Sequence, residues 1–214
     1  DVNVSNNYED IDPNCLGNIL SFIYRLRKSG FKIIIGYGFM NSILFAMLDC
    51  EFIASGWFNT LRKFHKTKFE IVDSFGRRKK RYTSLPLLSY IMFDDINNML
   101  SSGKITKNDI VSGTSYDQTY LHDESVLSFV DLEHQYWESL SLVFEELASV
   151  DDLEDRIDYM QTLISKAMKM YKTVYDELDN LNEVVASGRI KSASKHLLSW
   201  QVAIDIFKRN EMIL

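Results

Sequence analysis

Residues 153–185 have the sequence LEDRIDYMQTLISKAMKMYKTVYDELDNLNEVV, the most regular stretch of the chain. Its apolar side chains return at alternating spacings of four and three residues, the repeat of a helix that packs against other helices. Asp151 with Glu154 is typical of a helix start, and Ser187-Gly188 of a helix end. The stretch therefore predicts one long helix with a buried seam. The seam consists of Leu153, Ile157, Met160, Ile164, Ala167, Tyr171, Val174, Leu178, Leu181 and Val185.

Amphipathic patterns also lie on both sides of this long helix. The preceding stripe comprises Val126, Val130, Trp137, Leu140, Phe144 and Leu147. The following one comprises Ala193, Leu197, Trp200, Ile204 and Phe207. Short connections between long amphipathic helices favour antiparallel neighbours. We therefore predict that residues 124–214 form an all-α unit, either a three-helix bundle or a coiled-coil-like hairpin.

The first part of the chain has a different pattern. Asp12-Pro13 starts a predicted helix that ends at Ser29-Gly30. Residues 31–35 (FKIII) are short, apolar and β-branched, which is typical of a strand covered on both faces in a parallel sheet. A helix over 39–48 and a second strand over 51–55 follow, at the spacing that a βαβ crossover needs.

Small residues end both predicted strands: Gly36 and Gly38 the first, Ser55 and Gly56 the second. This order of elements, over residues 12–65, resembles the last two βα units of a (β/α)8 barrel. The resemblance implies a phosphate site at the carboxyl ends of the strands, built from those four residues. A barrel has eight strands, however, and this chain offers two clear ones. Either further strands precede the sequence, or the sheet is small and of another type.

The middle of the chain completes the predicted organisation. Residues 57–64 suit a helix, 68–72 and 80–83 could pair as a hairpin, and 85–100 suit an apolar helix closed by Ser101-Ser102-Gly103. We predict a mainly α protein with three parts. They are a small α/β unit over 1–103, a polar linker over 104–123 and the all-α unit over 124–214.

Positive charge is concentrated in the basic segment, residues 62–81. This segment holds nine Lys or Arg residues against two acids, a net charge of +7, whereas the whole chain carries −6. Cations next to aromatic side chains are the combination that single-stranded nucleic acid binds. The predicted ligand-contacting residues are Arg62, Lys63, Lys66, Lys68, Arg77, Arg78, Lys79, Lys80, Arg81 and the adjacent Tyr82.

Three functions fit these features. The first is a non-membrane module that holds a phosphate-bearing ligand, nucleic acid in particular, through the basic segment. The second is an enzyme, or part of one, with a barrel-like phosphate site at the strand ends. The third is a helical scaffold whose basic segment docks on an acidic partner or pairs with acids of the chain itself, while the helical rear supports homo-oligomers or a partner protein.

Other chemistries find little support in the sequence. The four histidines have no HExxH spacing and the two cysteines no zinc-finger spacing, so we predict no metal site and no cofactor. Two cysteines are too few for a disulfide framework, which favours a reducing, cytoplasmic setting. No apolar run reaches the ~18 residues of a membrane span, and residues 1–10 are polar and acidic, unlike a signal peptide.

Overall fold

A computed structural model describes residues 11–56 and 79–213. These residues are mainly helical with two small sheets, which confirms the predicted predominance of helix. The helices are Pro13–Lys28 (α1), Ser42–Ala46 (α2), Phe93–Ser101 (α3), Asp117–Asp123 (α4), Phe129–Ala148 (α5), Leu153–Asn180 (α6), Val184–Ala193 (α7) and Lys195–Glu211 (α8). The strands are Ile34–Gly36 (β1), Phe52–Ala54 (β2), Arg81–Ser84 (β3) and Ser89–Met92 (β4). Within the described ranges, no helix has both the length and the apolar character needed to cross a membrane.

Helix α1 begins and ends where its sequence predicts. The Asp12 carboxylate accepts a hydrogen bond from the Cys15 amide at 2.9 Å, and Pro13 occupies the first turn, where its missing N–H costs nothing. Gly30 follows the helix with φ +85°, the left-handed conformation that suits glycine. Within the helix, Leu16 and Leu20 are completely buried.

Gly17 lies at a close contact between α1 and α8. A Cβ atom at this position would lie 2.8 Å from Ile206 Cβ and 2.9 Å from the Ala203 carbonyl oxygen. Real Cβ atoms are not found at such distances, so the two helix backbones could not approach this far with any larger residue. Gly17 thus fixes α1 of the front part against the last helix.

Strands β1 and β2 form the predicted parallel pair, with Ile34 opposite Phe52 and Gly36 opposite Ala54. The connection between them is a 3-10 turn at Phe39–Asn41 followed by α2. The prediction that both faces are covered is not confirmed, because Ile34 is 72% and Phe52 65% exposed. The described residues contain two sheets of two strands each and do not confirm a barrel.

The second sheet differs from the predicted hairpin. Strand β3 lies at the predicted position, but it pairs antiparallel with β4 in a stretch predicted to be helical, and α3 begins only at Phe93. The turn at 85–88 interrupts the helical pattern, because Pro86 restricts the backbone and Leu88 adopts φ +48°. The partner strand predicted at 68–72, like the helix predicted at 57–64, lies outside the described residues.

The seam of α6 is confirmed over most of its length. Seven of its residues are 0% exposed: Ile157, Met160, Ile164, Ala167, Tyr171, Val174 and Leu178. The helix ends at Asn180, however, and Asn182 turns the chain with φ +61°. Leu181 and Val185 are consequently 52% and 80% exposed. The predicted stop at Ser187-Gly188 is wrong, since both residues lie inside α7.

The stretch 104–123 contains short helices in place of a continuous loop. A 3-10 turn at Lys107–Asp109 precedes α4, and Tyr120 of α4 is completely buried. Its ring stacks on that of Tyr82 in β3, with centroids 4.3 Å apart. This stretch therefore contributes side chains to the core.

One hydrophobic core joins elements from both halves of the chain. Helix α8 packs along α1 and also contacts α6, α5 contacts α2 and β3, and α3 contacts α7. The bundle predicted for 124–214 is not confirmed in this form, because the most extensive contact of α8 is with α1. The predicted stripe is confirmed in the later part of α5, where Leu140 and Leu147 are completely buried, but Val130 and Val126, which precedes the helix, are exposed.

Candidate functional site

The residues predicted at the strand ends do not form an open cradle. Ser55 is 1% exposed; its hydroxyl donates a hydrogen bond to the Phe39 carbonyl at 3.3 Å and is hydrogen-bonded to the Tyr136 hydroxyl. A Cβ atom at Gly38 would lie 2.4 Å from the Ser42 hydroxyl oxygen, so this glycine backs onto the 3-10 turn and α2. Ser55 therefore links β2 to α5.

The two other glycines at the strand ends differ from Gly38: Gly36 has open space around it, and Gly56 has a positive φ. Gly36 ends β1 with no atom within 4 Å of the position of an added Cβ. Gly56 follows β2 with φ +86° and is the last described residue before position 79. The four residues therefore form backbone turns at this edge of the sheet. Their one side-chain hydroxyl, that of Ser55, is already hydrogen-bonded to Phe39 and Tyr136.

Only the carboxyl end of the basic segment lies within the described residues. Arg62, Lys63, Lys66, Lys68, Arg77 and Arg78 lie outside them. The Lys79 amine lies 2.8 Å from the Asp94 carboxylate, and both side chains are more than half exposed. The Lys80 amine donates a hydrogen bond to the Ser125 carbonyl at 3.1 Å. Exposure decreases from Lys79 inward along β3.

Arg81 and Tyr82 belong to the packed interior more than to the surface. The Arg81 guanidinium donates to the Tyr90 carbonyl at 3.2 Å and lies 5.7 Å from the centroid of the Tyr90 ring. Tyr82 is 0% exposed, and its hydroxyl donates to Asp117 at 2.5 Å. Tyr82 is therefore not placed to stack on a nucleic-acid base in this structure, because its ring is already stacked on Tyr120 inside the core.

The structure adds one cation that the sequence did not single out. Arg189 of α7 places its guanidinium 2.5 Å from the carboxylate of Asp95, which is 6% exposed. The neighbouring Asp94 faces Lys79. The two adjacent acids thus point to different cations, as adjacent helical residues do. Nothing local in the sequence marks Arg189, because its partner lies 94 positions away.

Electrostatics differ between the two acids of this cluster. The hydrogen bond from Lys79 holds the pKa of Asp94 below its ordinary value of 3.8. Burial raises the pKa of Asp95 above that value, although Arg189 and Arg81 act in the opposite direction. Asp95 is therefore the buried partner of the Arg189 cation, whereas Asp94 pairs with Lys79 at the surface.

The environments of Cys50 and of two histidines bear on nucleophilic and metal chemistry. Burial raises the pKa of the Cys50 thiol to about 11, so it is protonated at neutral pH. His134 is hydrogen-bonded to the Tyr116 hydroxyl at 3.2 Å, and His196 to the Leu88 carbonyl at 2.9 Å. Across residues 11–56 and 79–213, no group of three or more His, Cys, Asp or Glu side chains is placed to hold a metal ion.

Comparison with known proteins adds no family. The chain matches no protein-family model, and neither curated proteins nor solved structures give a significant match to it. The functional argument therefore depends on the residues and their geometry alone.

Proposed function

We propose that this chain is a binding protein for a phosphate-bearing polymer, nucleic acid in particular, and that the basic segment 62–81 is its contact surface. The concentration of nine cations in twenty residues carries the proposal. With a net charge of +7 in a chain of −6, the segment would attract a polyanion while the rest repels it. Neutralising phosphates releases counterions, which is the main source of such affinity.

The surroundings of Lys79 are compatible with this role. Its ion pair with Asp94 is exposed on both sides, and exposed pairs contribute only about 0–1 kcal/mol. A phosphate could therefore replace Asp94 at little cost. Arg81, by contrast, donates a hydrogen bond to the Tyr90 carbonyl and lies near the buried Asp95. Its role would be to stabilise the fold at the end of the segment, and it would not contact the ligand.

A scaffold that docks on a partner protein is the second candidate. The observation that favours it is the apolar surface at the turn between α6 and α7. Leu181, Val184 and Val185 are 52%, 70% and 80% exposed there. Exposed apolar clusters of this kind are found at protein contacts. This surface would serve a homo-oligomer or a partner, with the basic segment attracting an acidic face.

The strand ends do not favour the enzyme alternative, because the Ser55 hydroxyl is bonded within the fold. A cytoplasmic setting belongs to the proposal as well, since Cys15 and Cys50 are free thiols.

The direct experiment compares two variants of equal net charge. In the first, Arg77, Arg78, Lys79 and Lys80 are changed to Gln. In the control, four exposed lysines elsewhere are changed to Gln: Lys28, Lys169, Lys172 and Lys195. Fluorescence anisotropy with labelled single- and double-stranded DNA and RNA at 50 mM salt should show binding by the parent and the control, and strong weakening in the first variant. Equal weakening in both variants would contradict a localised surface.

A further inference from the structure

A second candidate site lies at the carboxyl end of β3, away from Lys79 and Lys80, in a cleft of about 520 Å³. The turn at 85–88 and the loop at 111–113 form one wall, and α5 and α6 form the other. The volume is within the ~300–1,000 Å³ range of small-molecule sites. Its floor is Leu88 and Val143, which are 0% and 2% exposed.

The walls of the cleft are apolar side chains that remain only half-buried. They are Leu85, Pro86, Val111, Leu142, Leu163 and Met170. Half-buried apolar walls around a concave space are typical of sites that bury the body of an apolar ligand. A ligand with a hydrocarbon body would remove these surfaces from water, and each CH2 group buried in this way lowers the Kd about fourfold.

Hydrogen bonds within the fold fix both walls of the cleft. The Ser112 hydroxyl donates to the Thr83 carbonyl at 2.8 Å and accepts from the Leu85 amide at 2.9 Å. On the far side, the Tyr159 hydroxyl donates to the Glu146 carboxylate, which ties α6 to α5. Because both walls are fixed by the fold, a ligand would enter a preformed space.

The rim of the cleft carries one cation without a counter-charge. Lys166 of α6 lines the cleft, is exposed, and makes no ion pair with any described residue. Its helical neighbours three and four positions away are Thr162, Leu163, Lys169 and Met170, so no acid is near it along the helix. The acid at the rim, Glu146, keeps its charge and accepts a hydrogen bond from the Tyr159 hydroxyl. The Lys166 amine is therefore the charged donor at the rim that has no partner among the described residues.

We propose that this cleft binds an amphipathic monocarboxylate, with its hydrocarbon chain along Leu142, Leu163 and Met170 and its carboxylate on Lys166. The Lys166 stem can lie along the apolar wall while its amine stays at the rim. This proposal does not depend on nucleic-acid binding.

Isothermal titration of the whole chain with decanoate, below its micelle concentration, tests the proposal. The parent should bind one equivalent saturably, and octanoate should bind about fifteenfold more weakly because two CH2 groups are absent. Lys166→Gln should weaken decanoate about three- to fivefold and leave decanol unchanged. Lys166→Arg should retain binding, as should the control Lys172→Gln, six positions along the same helix.

A second variant addresses the walls. Leu163→Trp fills the cleft and should abolish binding of both decanoate and decanol while the helical circular dichroism remains. Absence of saturable binding by the parent would overturn the proposal, as would tighter binding of decylamine than decanoate. So would a dimer of the parent chain that Leu163→Trp converts to monomer, since the cleft would then hold a second copy of this chain.

Discussion

The Tyr82 hydroxyl donates a 2.5 Å hydrogen bond to the Asp117 carboxylate and thereby joins β3 to α4 inside the core. The same carboxylate also accepts from the Gly113 and Thr114 amides at 2.7 and 3.0 Å. A buried acid with several donors fixes the position of α4. The basic segment ends just before Tyr82, where the chain enters the protein interior.

We predict that alkaline pH destabilises the protein through its buried tyrosines. Burial and the hydrogen bond to Asp117 raise the pKa of Tyr82 above its ordinary value of 10.0, and burial raises that of Tyr120. Above pH 10 the unfolded chain loses these protons while the folded chain keeps them. The free energy of unfolding should therefore fall by about 1.4 kcal/mol per pH unit for each tyrosine.

Urea unfolding between pH 7 and 11 measures this effect, with Tyr82→Phe as the comparison. That variant keeps the ring and should lose about 1 kcal/mol at pH 7. Its stability should then fall less steeply above pH 10. A parent whose free energy of unfolding is unchanged between pH 10 and 11 would contradict the burial of these hydroxyls.

Gly17→Ala should destabilise the protein although alanine favours helix. On an exposed helix this change would add about 1 kcal/mol of stability. Here the new methyl group would meet Ile206 and the Ala203 carbonyl at 2.8–2.9 Å, so α1 and α8 must separate. We expect a net loss of about 1–3 kcal/mol in chemical denaturation. Gly188→Ala, at a helical glycine with open space around it, is the control and should not destabilise.

The seam of α6 should be sensitive up to Leu178 and tolerant beyond it. Ile164→Asp or Leu178→Asp would place an unpaired charge in the core and cost several kcal/mol of unfolding free energy. Val185→Asp follows the same sequence spacing but lies at an 80% exposed position. It should change the melting temperature little, and equal loss at all three positions would show that the seam continues through the turn.

We expect substitution of Arg81 to lower the stability of the fold and substitution of Lys79 to leave it nearly unchanged. Arg81→Gln removes the bond to Tyr90 and a cation near the buried Asp95, and should cost about 1–3 kcal/mol in thermal unfolding. Lys79→Gln breaks an exposed pair and should stay within about 0.5 kcal/mol of the parent. The reverse order would mean that Lys79 is the structural cation.

The sequence correctly predicted those elements that depend only on neighbouring residues. The capping of α1 by Asp12 and the burial of Ile164 and Leu178 follow from residue types and spacing alone. The β3–β4 hairpin could not be predicted in the same way, because Leu88 takes a left-handed conformation without a glycine to mark it. The apolar residues on both sides of Leu88 have a composition that is also typical of a helix.

Two features of the candidate site could not be predicted from the sequence, because they depend on contacts between residues that are far apart in the chain. Tyr82 follows a run of cations, which favoured a role in stacking on bases, but its partners are Tyr120 and Asp117. Arg189 reaches Asp95 only because α7 packs on α3. Charge concentration is visible in a sequence, whereas the choice of counter-charge depends on the tertiary fold.

The salt dependence of nucleic-acid affinity tests the central claim most directly. Log affinity for a single strand should fall linearly with log salt, by roughly 0.7 per phosphate contact. With four or five of the nine cations engaged, raising salt from about 50 to about 200 mM should weaken binding by roughly 50- to 130-fold. The Gln variant of Arg77, Arg78, Lys79 and Lys80 should lose most of that slope and keep the parent's unfolding free energy. Binding by the parent with no salt dependence, or no binding to DNA or RNA at about 50 mM salt, would contradict the account.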